Sequence, residues 1–192
     1  MDFLGPELTD SLLGLCPPSR EARLLDVGCG KGRTVRLLNE RERGLQAWGV
    51  DLTPGRGDRL LSGDAAQLPF GPSSFEGVLF ECSLSVIRDP DAALREAARV
   101  LVPDGILYVA DLYALEEPKE LSATLGRAER WETLLRRFSG AGFRLLGFED
   151  RSAALISLWA TLLFEGAVDC RLPSGFRAGY FLAALEKRRL SS

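Results

Sequence analysis

The sequence predicts an α/β domain built on a mostly parallel sheet. Short apolar, strand-like runs alternate along the chain with runs of helical periodicity. A glycine-rich turn follows the first strand-like run, and an acidic residue ends the second. The length of 192 residues fits one domain, and 46% hydrophobic against 27% charged residues is an ordinary globular balance.

The first half of the chain is predicted to form four strands and two helices. Leucines near the start indicate a short helix that ends before Pro17. A second helix, after the glycine turn, has Val35 and Leu38 on one face and Gly44 as its C-cap. The strands are predicted over residues 24–27, 45–50, 59–64 and 75–81.

The second half is predicted to add three helices and three strands. Asp89 and Pro90 indicate a helix start, as N-cap and first helical residue. Residues 103–105 predict a turn before the fifth strand, and Gly140 is expected to cap the next helix. The remaining elements are strands over residues 106–110, 143–148 and 180–185 and helices over 131–138 and 155–162. Periodicity alone does not decide whether residues 180–185 form a helix or a strand. We interpret them as a strand because short domains of this layout often close with a hairpin.

Composition excludes several kinds of chemistry. The chain has no histidine, so histidine bases, nucleophile triads and histidine metal sites are ruled out, and we expect no metal. A net charge of −3 argues against a protein that grips long nucleic acid. The four cysteines form no CxxC pair and are expected to be reduced thiols. The absence of a secretion signal and of a long apolar stretch predicts a cytoplasmic location without a membrane anchor.

The glycine turn is the motif that points to a ligand. Gly28, Gly30 and Gly32 permit positive φ and a close approach of backbone to ligand, and the following helix presents free N–H groups. The dinucleotide fingerprint needs a further glycine where this chain has Arg33. Asp51 can accept hydrogen bonds from two ribose hydroxyls, as acids do in both nicotinamide and S-adenosylmethionine sites.

Five segments in order resemble class I S-adenosylmethionine-dependent methyltransferases of the type 11 kind. They are LLDVGCGKG (24–32), WGVDL (48–52), GDAAQLPF (63–70), FEGVLF (75–80) and RVLVPDG (99–105). The resemblance implies a Rossmann-like, doubly wound sheet of seven strands in the order 3-2-1-4-5-7-6, with strand 7 antiparallel and helices on both faces. It also implies S-adenosylmethionine as cofactor and methyl transfer by in-line displacement to a small-molecule acceptor.

The resemblance assigns the first cofactor contacts. Asp26, Gly28 and Gly30 would hold the methionine end, and Asp51 would bind the ribose. Cys29, between two of the glycines, is a further candidate. The simpler alternatives are that Asp26 is a capping acid and that Cys29 is only a small residue that fits the turn.

The remaining implied contacts lie around the adenine and the transferred methyl group. Leu52 would pack on the adenine, Asp64 would accept from its amino group and the Ala65 backbone would meet the ring. The alternative is that Asp64 is an ordinary turn residue. Glu81 and Cys82 would flank the sulfonium and the acceptor, and they are the catalytic candidates.

Cys82 also suggests a more specific acceptor. The run from Glu81 to Ile87, followed by Asp89-Pro90, resembles arsenite methyltransferases, which carry a cysteine at this point. Cys170 would supply a second thiolate, and soft thiolates suit a soft acceptor such as As(III) or a thiol. The alternative is that Cys82 only packs as a small apolar residue.

Other features bear on how an acceptor would be handled. A hydroxyl or amine acceptor needs a base, and without histidine the candidates are Glu81, Asp111 and Tyr113. The helix within residues 1–20 and the segment 113–130 are expected to cover the substrate side. Residues 52–58 are too few for the helix that normally makes a parallel crossover, so a loop is expected there.

Two other functions remain open at this point. A non-catalytic cofactor-binding module that serves a partner protein would bind S-adenosylhomocysteine without turnover. A nicotinamide-dependent oxidoreductase is disfavoured by Arg33. Trp48, Trp131 and Trp159 are expected to be core residues, not a substrate cage.

Overall fold

A computed structural model describes residues 6–40, 44–121, 125–153 and 177–189 of the chain. Its helices are α1 Pro6–Gly14, α2 Arg33–Asn39, α3 Pro90–Val100 and α4 Trp131–Gly140. Its strands are β1 Arg23–Val27, β2 Gln46–Asp51, β3 Leu60–Ser62, β4 Phe75–Glu81, β5 Leu101–Ala114, β6 Lys119–Glu120, β7 Arg127–Ala128, β8 Phe143–Asp150 and β9 Ala178–Lys187.

Seven of these strands form one sheet in the order β3-β2-β1-β4-β5-β9-β8. The strands from β3 to β5 pair in parallel, whereas β9 is antiparallel to both β5 and β8. The predicted strand order is therefore confirmed, with β8 and β9 as the expected sixth and seventh strands. Strands β6 and β7 form a separate two-stranded sheet that the sequence pattern did not predict.

The sheet is covered on both faces, as predicted. One face packs against α1 and α2, which contribute Leu12 and Val35 among others to a buried cluster. The other face packs against α3 and α4, and Leu94 and Phe138 belong to its cluster. Long apolar runs in the central strands follow from this double cover, because a strand buried on both sides has no solvent-facing positions.

The crossover from β2 to β3 is a loop, as its length predicts. Residues 52–59 contain no helix, yet β2 and β3 are parallel, with Gly49 opposite Leu60. The loop doubles back over the glycine turn, where the Gly55 N–H donates to the Gly30 carbonyl at 2.8 Å. A β-carbon on Gly55 would lie 3.0 Å from the Lys31 backbone. The missing helix is thus replaced by a segment that rests on the turn.

Three predicted boundaries are wrong, each because local backbone geometry differs from the residue pattern. Helix α2 ends at Asn39 with Glu40 as C-cap, so Gly44 does not cap it. Helix α4 includes Gly140 and is capped by Ala141, and a left-handed residue follows only at position 142. Residues 103–105 lie inside β5 as a bulge, because Phe75 pairs with Leu101 while Gly77 pairs with Ile106.

Other expectations are confirmed or lie outside the described residues. Asp89 caps α3 by accepting from the Ala92 N–H at 2.9 Å. Trp48 and Trp131 are half-buried and pack on the core, as predicted. The helix predicted over 155–162, Trp159 and Cys170 all lie outside the described residues. No helix in the described ranges is long and apolar enough to span a bilayer.

Candidate active site

The candidate site lies at the carboxyl ends of β1, β2 and β4, where ligands bind in open α/β sheets. The glycine turn leaves β1 and is pinned to β2, because the Gly28 and Cys29 N–H groups donate to the Val50 carbonyl at 2.7 and 3.2 Å. Gly28, Gly30 and Gly32 all have positive φ, at 79°, 50° and 71°. The turn therefore requires glycine at these positions and leads directly into α2.

Gly28 is constrained by a neighbour as well as by its conformation. A β-carbon there would lie 2.4 Å from the β-carbon of Ser83. Ser83 is buried, and its hydroxyl donates to the Val27 carbonyl at 2.6 Å, so the end of β4 is tied to the end of β1. The sequence analysis did not identify Ser83 as a site residue, since its contact with the turn spans more than fifty positions.

Three carboxyl groups gather around the turn. Asp26 is the penultimate residue of β1 and almost fully buried, at 4% exposure, while Asp51 ends β2 and Glu81 ends β4. Burial raises the pKa of Asp26 well above its usual range, and the negative charges of Glu81 and Asp51 raise it further. This cluster disfavours an additional anion and favours a ligand that brings positive charge.

Two of these acids also organise the turn. The Asp51 carboxylate accepts from the Gly30 N–H and from the Thr53 N–H, each at 2.9 Å. It thereby joins the glycine turn to the crossover loop. Glu81 accepts from the Thr34 hydroxyl in the first turn of α2, at 2.8 Å. Thr34 is a second residue that the sequence analysis missed, because it carries no charge and lies outside the glycine pattern.

The predicted adenine contacts lie beside Asp51. Leu52 is 72% exposed, an unusual state for a leucine and one that leaves its side chain open to a ligand. The Gly63 N–H donates to the Asp51 carbonyl at 3.0 Å, which brings the segment leading to Asp64 to the end of β2. Asp64 is exposed and accepts from the Ala66 N–H at 2.8 Å, while Ala65 packs against the core.

Cys29 is placed differently from its glycine neighbours. Its side chain covers Gly49 of β2, where a β-carbon would lie 2.6 Å from the Cys29 sulfur. Burial, with the negative charges of Asp26 and Asp51, raises the pKa of the Cys29 thiol to about 12. The side chain therefore packs as a neutral group on β2, and any cofactor contact from this residue stays a prediction.

Cys82 follows β4 directly and is exposed at the site. Its sulfur lies 3.0 Å from the hydroxyl of Tyr180, a buried residue of β9. The protein around the sulfur raises the pKa of the thiol to about 12, and the charge of Asp111 contributes. The structure thus joins Cys82 to a tyrosine that the sequence did not single out. Whether Cys170 approaches it lies outside the described residues.

The other two base candidates lie further along β5. Asp111 is buried, and its carboxylate accepts from the Ser85 and Leu112 N–H groups at 2.8 and 2.7 Å. Burial raises its pKa. The Tyr113 hydroxyl donates to the Asp150 carboxylate at 3.0 Å. Neither side chain is shown to meet an acceptor, so their role as bases stays a prediction.

A cavity of about 570 Å³ opens beyond β4 and β5, next to this site. Its walls come from the segment after β4, from β5, from α4 and from the region of β6 and β7. Residues that line it include Ser85, Ile87, Asp111, Leu121, Glu129 and Phe181. The volume is within the range of small-molecule sites.

The fold and the site together define a Rossmann-like domain for a cationic nucleoside cofactor. S-adenosylmethionine carries an ammonium and a sulfonium, which suit a turn bordered by Asp26, Asp51 and Glu81. A dinucleotide pyrophosphate would instead bring negative charge to the same three carboxyl groups. The residues present therefore fit S-adenosylmethionine.

Comparisons with known proteins agree. Residues 25–109 match the family model of the methyltransferase domain. The 27-O-demethylrifamycin SV methyltransferase of Amycolatopsis mediterranei is 30% identical over 62% of this chain and 49% of its own length. The chain spans about half the length of the curated relatives it matches.

Solved structures show the same fold. The [4+2]-cyclase SpnF superposes with a TM-score of 0.72 at 24% identity, over 95% of this chain and 80% of that one. Phosphoethanolamine N-methyltransferase 2 of Haemonchus contortus, in complex with S-adenosyl-L-methionine, superposes with a TM-score of 0.74 at 18% identity, over 96% and 53%. Residues 25–109 thus resemble a methyltransferase domain, and the chain has the fold of a methyltransferase solved with S-adenosyl-L-methionine.

Proposed function

We propose that the protein transfers a methyl group from S-adenosylmethionine to a small-molecule acceptor. The observation that carries the proposal is the group of three carboxyls around the glycine turn, in which Asp26 is buried beside two other negative charges. A cation stabilises such a group and an anion destabilises it. S-adenosylmethionine offers the cation, together with a ribose for Asp51.

The chain's own residues then have distinct tasks. Asp26 with the backbone of Gly28 and Gly30 would hold the methionine end, and Asp51 would bind the ribose hydroxyls through the lone pairs that its two backbone donors leave free. Leu52, Asp64 and Ala65 would form the adenine side. When bound, the cofactor supplies a methyl group activated by the sulfonium. The protein's main contribution is to hold donor and acceptor aligned and dry.

The acceptor is proposed to bind in the cavity beyond β4 and β5. Glu81 and Cys82 would border the reacting atoms, since Glu81 accepts from Thr34 after the glycine turn and Cys82 lies two residues before Leu84, which lines the cavity. Glu120, Leu121 and Gly126 line the cavity, which supports a covering role for the segment 113–130. Helix α1 contributes Leu12 and Leu13 to the core, and a lid function for it is a weaker proposal.

A hydroxyl acceptor suits the site better than a soft one. The Cys82 sulfur contacts the Tyr180 hydroxyl at 3.0 Å, and the raised pKa of the thiol disfavours the thiolate that a soft acceptor such as As(III) would bind. A hydroxyl must lose its proton during transfer, and Asp111, whose buried carboxylate has a raised pKa, is the proposed base. The relative that methylates a demethylrifamycin at oxygen is consistent with this acceptor class.

The test combines binding and transfer. We expect S-adenosylhomocysteine, but not NADH, to bind in calorimetry, and labelled methyl to pass from S-adenosylmethionine to a member of a panel of phenols, alcohols and carboxylic acids, with arsenite and small thiols included. Asp51→Ala should lose both binding and transfer. Asp58→Ala, an exposed acid in the same loop, is the matched control and should lose neither.

The outcomes separate the competing functions. Transfer to arsenite or thiols, lost in Cys82→Ser, would replace the hydroxyl acceptor by a soft one. Tight binding without transfer to any acceptor would favour the non-catalytic module or a different reaction on the same fold, as the cyclase shows is possible. Binding of NADH in place of S-adenosylhomocysteine would overturn the proposal.

A further inference from the structure

Tyr180 contacts the site from β9, which lies two strands away from β4 in the sheet. It lies in β9 opposite Leu112 of β5, and its hydroxyl ends 3.0 Å from the Cys82 sulfur, across 98 positions of sequence. The residue is 3% exposed, so its ring is enclosed while its polar atom faces the end of β4. A buried phenol is normally given a hydrogen-bond partner, and here that partner is a site residue.

The backbone of Tyr180 is held on both sides. Its N–H donates to the Ser152 hydroxyl at 3.1 Å, and its carbonyl accepts from the Arg151 N–H at 2.8 Å. These contacts come from the residues that follow β8, so Tyr180 is fixed independently of its pairing with β5. The ring consequently has a defined position relative to the end of β4.

Cys82 has an unusual backbone conformation, so its contact with Tyr180 matters more than a contact of an ordinary residue would. It has a φ of 53°, in the left-handed region that non-glycine residues rarely adopt. Its N–H is anchored to the Ala110 carbonyl at 2.7 Å, which fixes the backbone but leaves the side chain to its own contacts. A strained residue of this kind is retained where the surrounding structure determines it, often at a functional site.

We propose that Tyr180 is a positioning residue of the transfer site, whose hydroxyl fixes the Cys82 side chain beside the bound cofactor. This inference rests on the proposed function for the identity of the bound ligand. The contact between Tyr180 and Cys82 does not depend on that function. Tyr180 stabilises one orientation of Cys82, which directly precedes Ser83, tied to the end of β1, and Leu84, which lines the cavity.

The pKa of the Cys82 thiol provides a readout for its contact with Tyr180. The surrounding protein and the negative charges of Asp111 and Glu81 raise the pKa of the Cys82 thiol. The hydrogen bond from Tyr180 acts in the opposite direction and lowers that pKa. The pKa of Tyr180 is itself raised well above its usual range, mainly by burial. Tyr180 therefore remains a phenol that can donate to a Cys82 thiolate.

The first experiment measures alkylation of Cys82 by iodoacetamide at pH 9, with each cysteine resolved by mass spectrometry. Because the Tyr180 hydrogen bond lowers the pKa of the Cys82 thiol, Tyr180→Phe should leave less thiolate and slow the reaction roughly threefold to tenfold. Tyr108→Phe is the matched control, since Tyr108 is an equally buried tyrosine of the same face whose hydroxyl donates to the Cys16 carbonyl. It should leave the Cys82 rate unchanged. An unchanged or faster rate in Tyr180→Phe overturns the proposal.

The second experiment separates this inference from the proposed function. S-adenosylhomocysteine at saturation should slow alkylation of Cys82 at least fivefold in the wild-type protein, because the sulfur lies beside the bound ligand (about 1 kcal/mol by the conversion between rates and free energies). Tyr180→Phe should keep the calorimetric Kd within about twofold of the wild-type value. Binding without protection of Cys82, or a larger loss of affinity in Tyr180→Phe, contradicts the positioning role. Absence of any S-adenosylhomocysteine binding contradicts the proposed function instead, and the alkylation comparison between the two tyrosines still decides the contact.

Discussion

At the scale of single residues, the buried carboxyl of Asp26 predicts a link between stability and ligand binding. Its carboxyl is buried beside Glu81 and Asp51, and its pKa is raised well above its usual range. The folded protein therefore holds the Asp26 proton more tightly than the unfolded chain does. The stability that this proton gives is complete below the unfolded pKa and is lost as the pH rises through the folded pKa. A bound ammonium reverses the preference, because it favours the ionised carboxylate.

Asp26→Asn tests the effect of the Asp26 proton on ligand binding and on stability. The affinity of the wild-type protein for S-adenosylhomocysteine should rise with pH as Asp26 loses its proton, and in Asp26→Asn this rise should disappear. Loss of a charge-assisted hydrogen bond predicts a Kd about 10- to 100-fold weaker where Asp26 is ionised. Calorimetry at a series of increasing pH values measures both quantities.

The ligand-free variant supplies the control. At a pH where Asp26 is ionised, Asp26→Asn should unfold at a higher temperature than the wild-type protein, since no buried charge faces Glu81 and Asp51. A variant that binds with the same pH dependence as the wild-type protein would show that another group titrates.

Gly28 and Gly30 offer a comparison within one turn. Both have positive φ, but a β-carbon on Gly28 would lie 2.4 Å from that of Ser83, whereas one on Gly30 meets nothing within 4 Å. Gly28→Ala should lower the free energy of unfolding by about 2–5 kcal/mol, from conformation and overpacking together. Gly30→Ala should cost about 1–2 kcal/mol, from conformation alone. Urea denaturation of both variants measures the difference, and equal losses would mean that Ser83 moves aside freely.

At the scale of elements, the crossover loop between β2 and β3 supports the glycine turn in place of a helix. The Asp51 carboxylate accepts from Gly30 in the turn and from Thr53 in the loop, and the Gly55 N–H donates to the Gly30 carbonyl. The loop has no apolar face of its own to bury, so its position depends on these few backbone contacts. Cofactor affinity should therefore respond to changes in the loop that leave the core untouched.

Gly55→Ala tests this dependence. The new β-carbon would lie 3.0 Å from backbone atoms of Lys31, which cannot yield without moving the turn. We expect S-adenosylhomocysteine to bind about threefold to tenfold more weakly, with little change in the free energy of unfolding. Gly57→Ala is the control in the same loop, because its β-carbon would meet only the flexible end of Leu60 at 3.3 Å. Similar losses in the two variants would indicate a general effect of loop stiffness.

The elements that the sequence predicted well are those with strong local signals. The β4 boundaries and the start of α3 follow from an apolar run and from the Asp89-Pro90 cap, and both agree with the structure. The helix ends at Gly44 and Gly140 were wrong because a glycine indicates that a left-handed residue is allowed, not that the helix stops there. Residues 103–105 look like a turn, yet pairing with β4 keeps them within β5 as a bulge.

At the scale of the whole molecule, parts of the site are invisible in the sequence for a physical reason. Asp26 and Asp51 stand at strand ends within recognisable motifs, so their proximity follows from a parallel sheet. The contact of Tyr180 with Cys82 depends on β9 entering the sheet antiparallel, next to β5, in one particular register. A one-residue change of register would turn Tyr180 to the opposite face. No local pattern contains that information.

The residue after β7 is joined to α3 and α4, the two helices of one face, by a network of charges. Arg137 of α4 binds the Glu129 carboxylate through two nitrogens at 2.6 and 2.9 Å, and Asp91 of α3 at 2.5 Å. Glu129 lies just after β7, with its side chain only 9% exposed. The network therefore connects α3 and α4 to the segment that lines the proposed acceptor cavity.

Removal of Arg137 should destabilise the whole domain, because a nearly buried carboxylate would lose its counter-charge. Arg137→Met is expected to lower the free energy of unfolding by about 2–4 kcal/mol, somewhat less than for a fully buried pair, since Arg137 is 23% exposed. The double variant Arg137→Met/Glu129→Leu should recover most of that loss, because a buried pair replaced by apolar groups is often neutral. Arg144→Met is the control, since Arg144 pairs with Glu186 while 57% exposed and should cost no more than about 1 kcal/mol. Urea denaturation of the wild-type protein and of the three variants measures the effect. A double variant as unstable as Arg137→Met would show that the arginine stabilises the domain through its packing, and that the charge of Glu129 is tolerated without it.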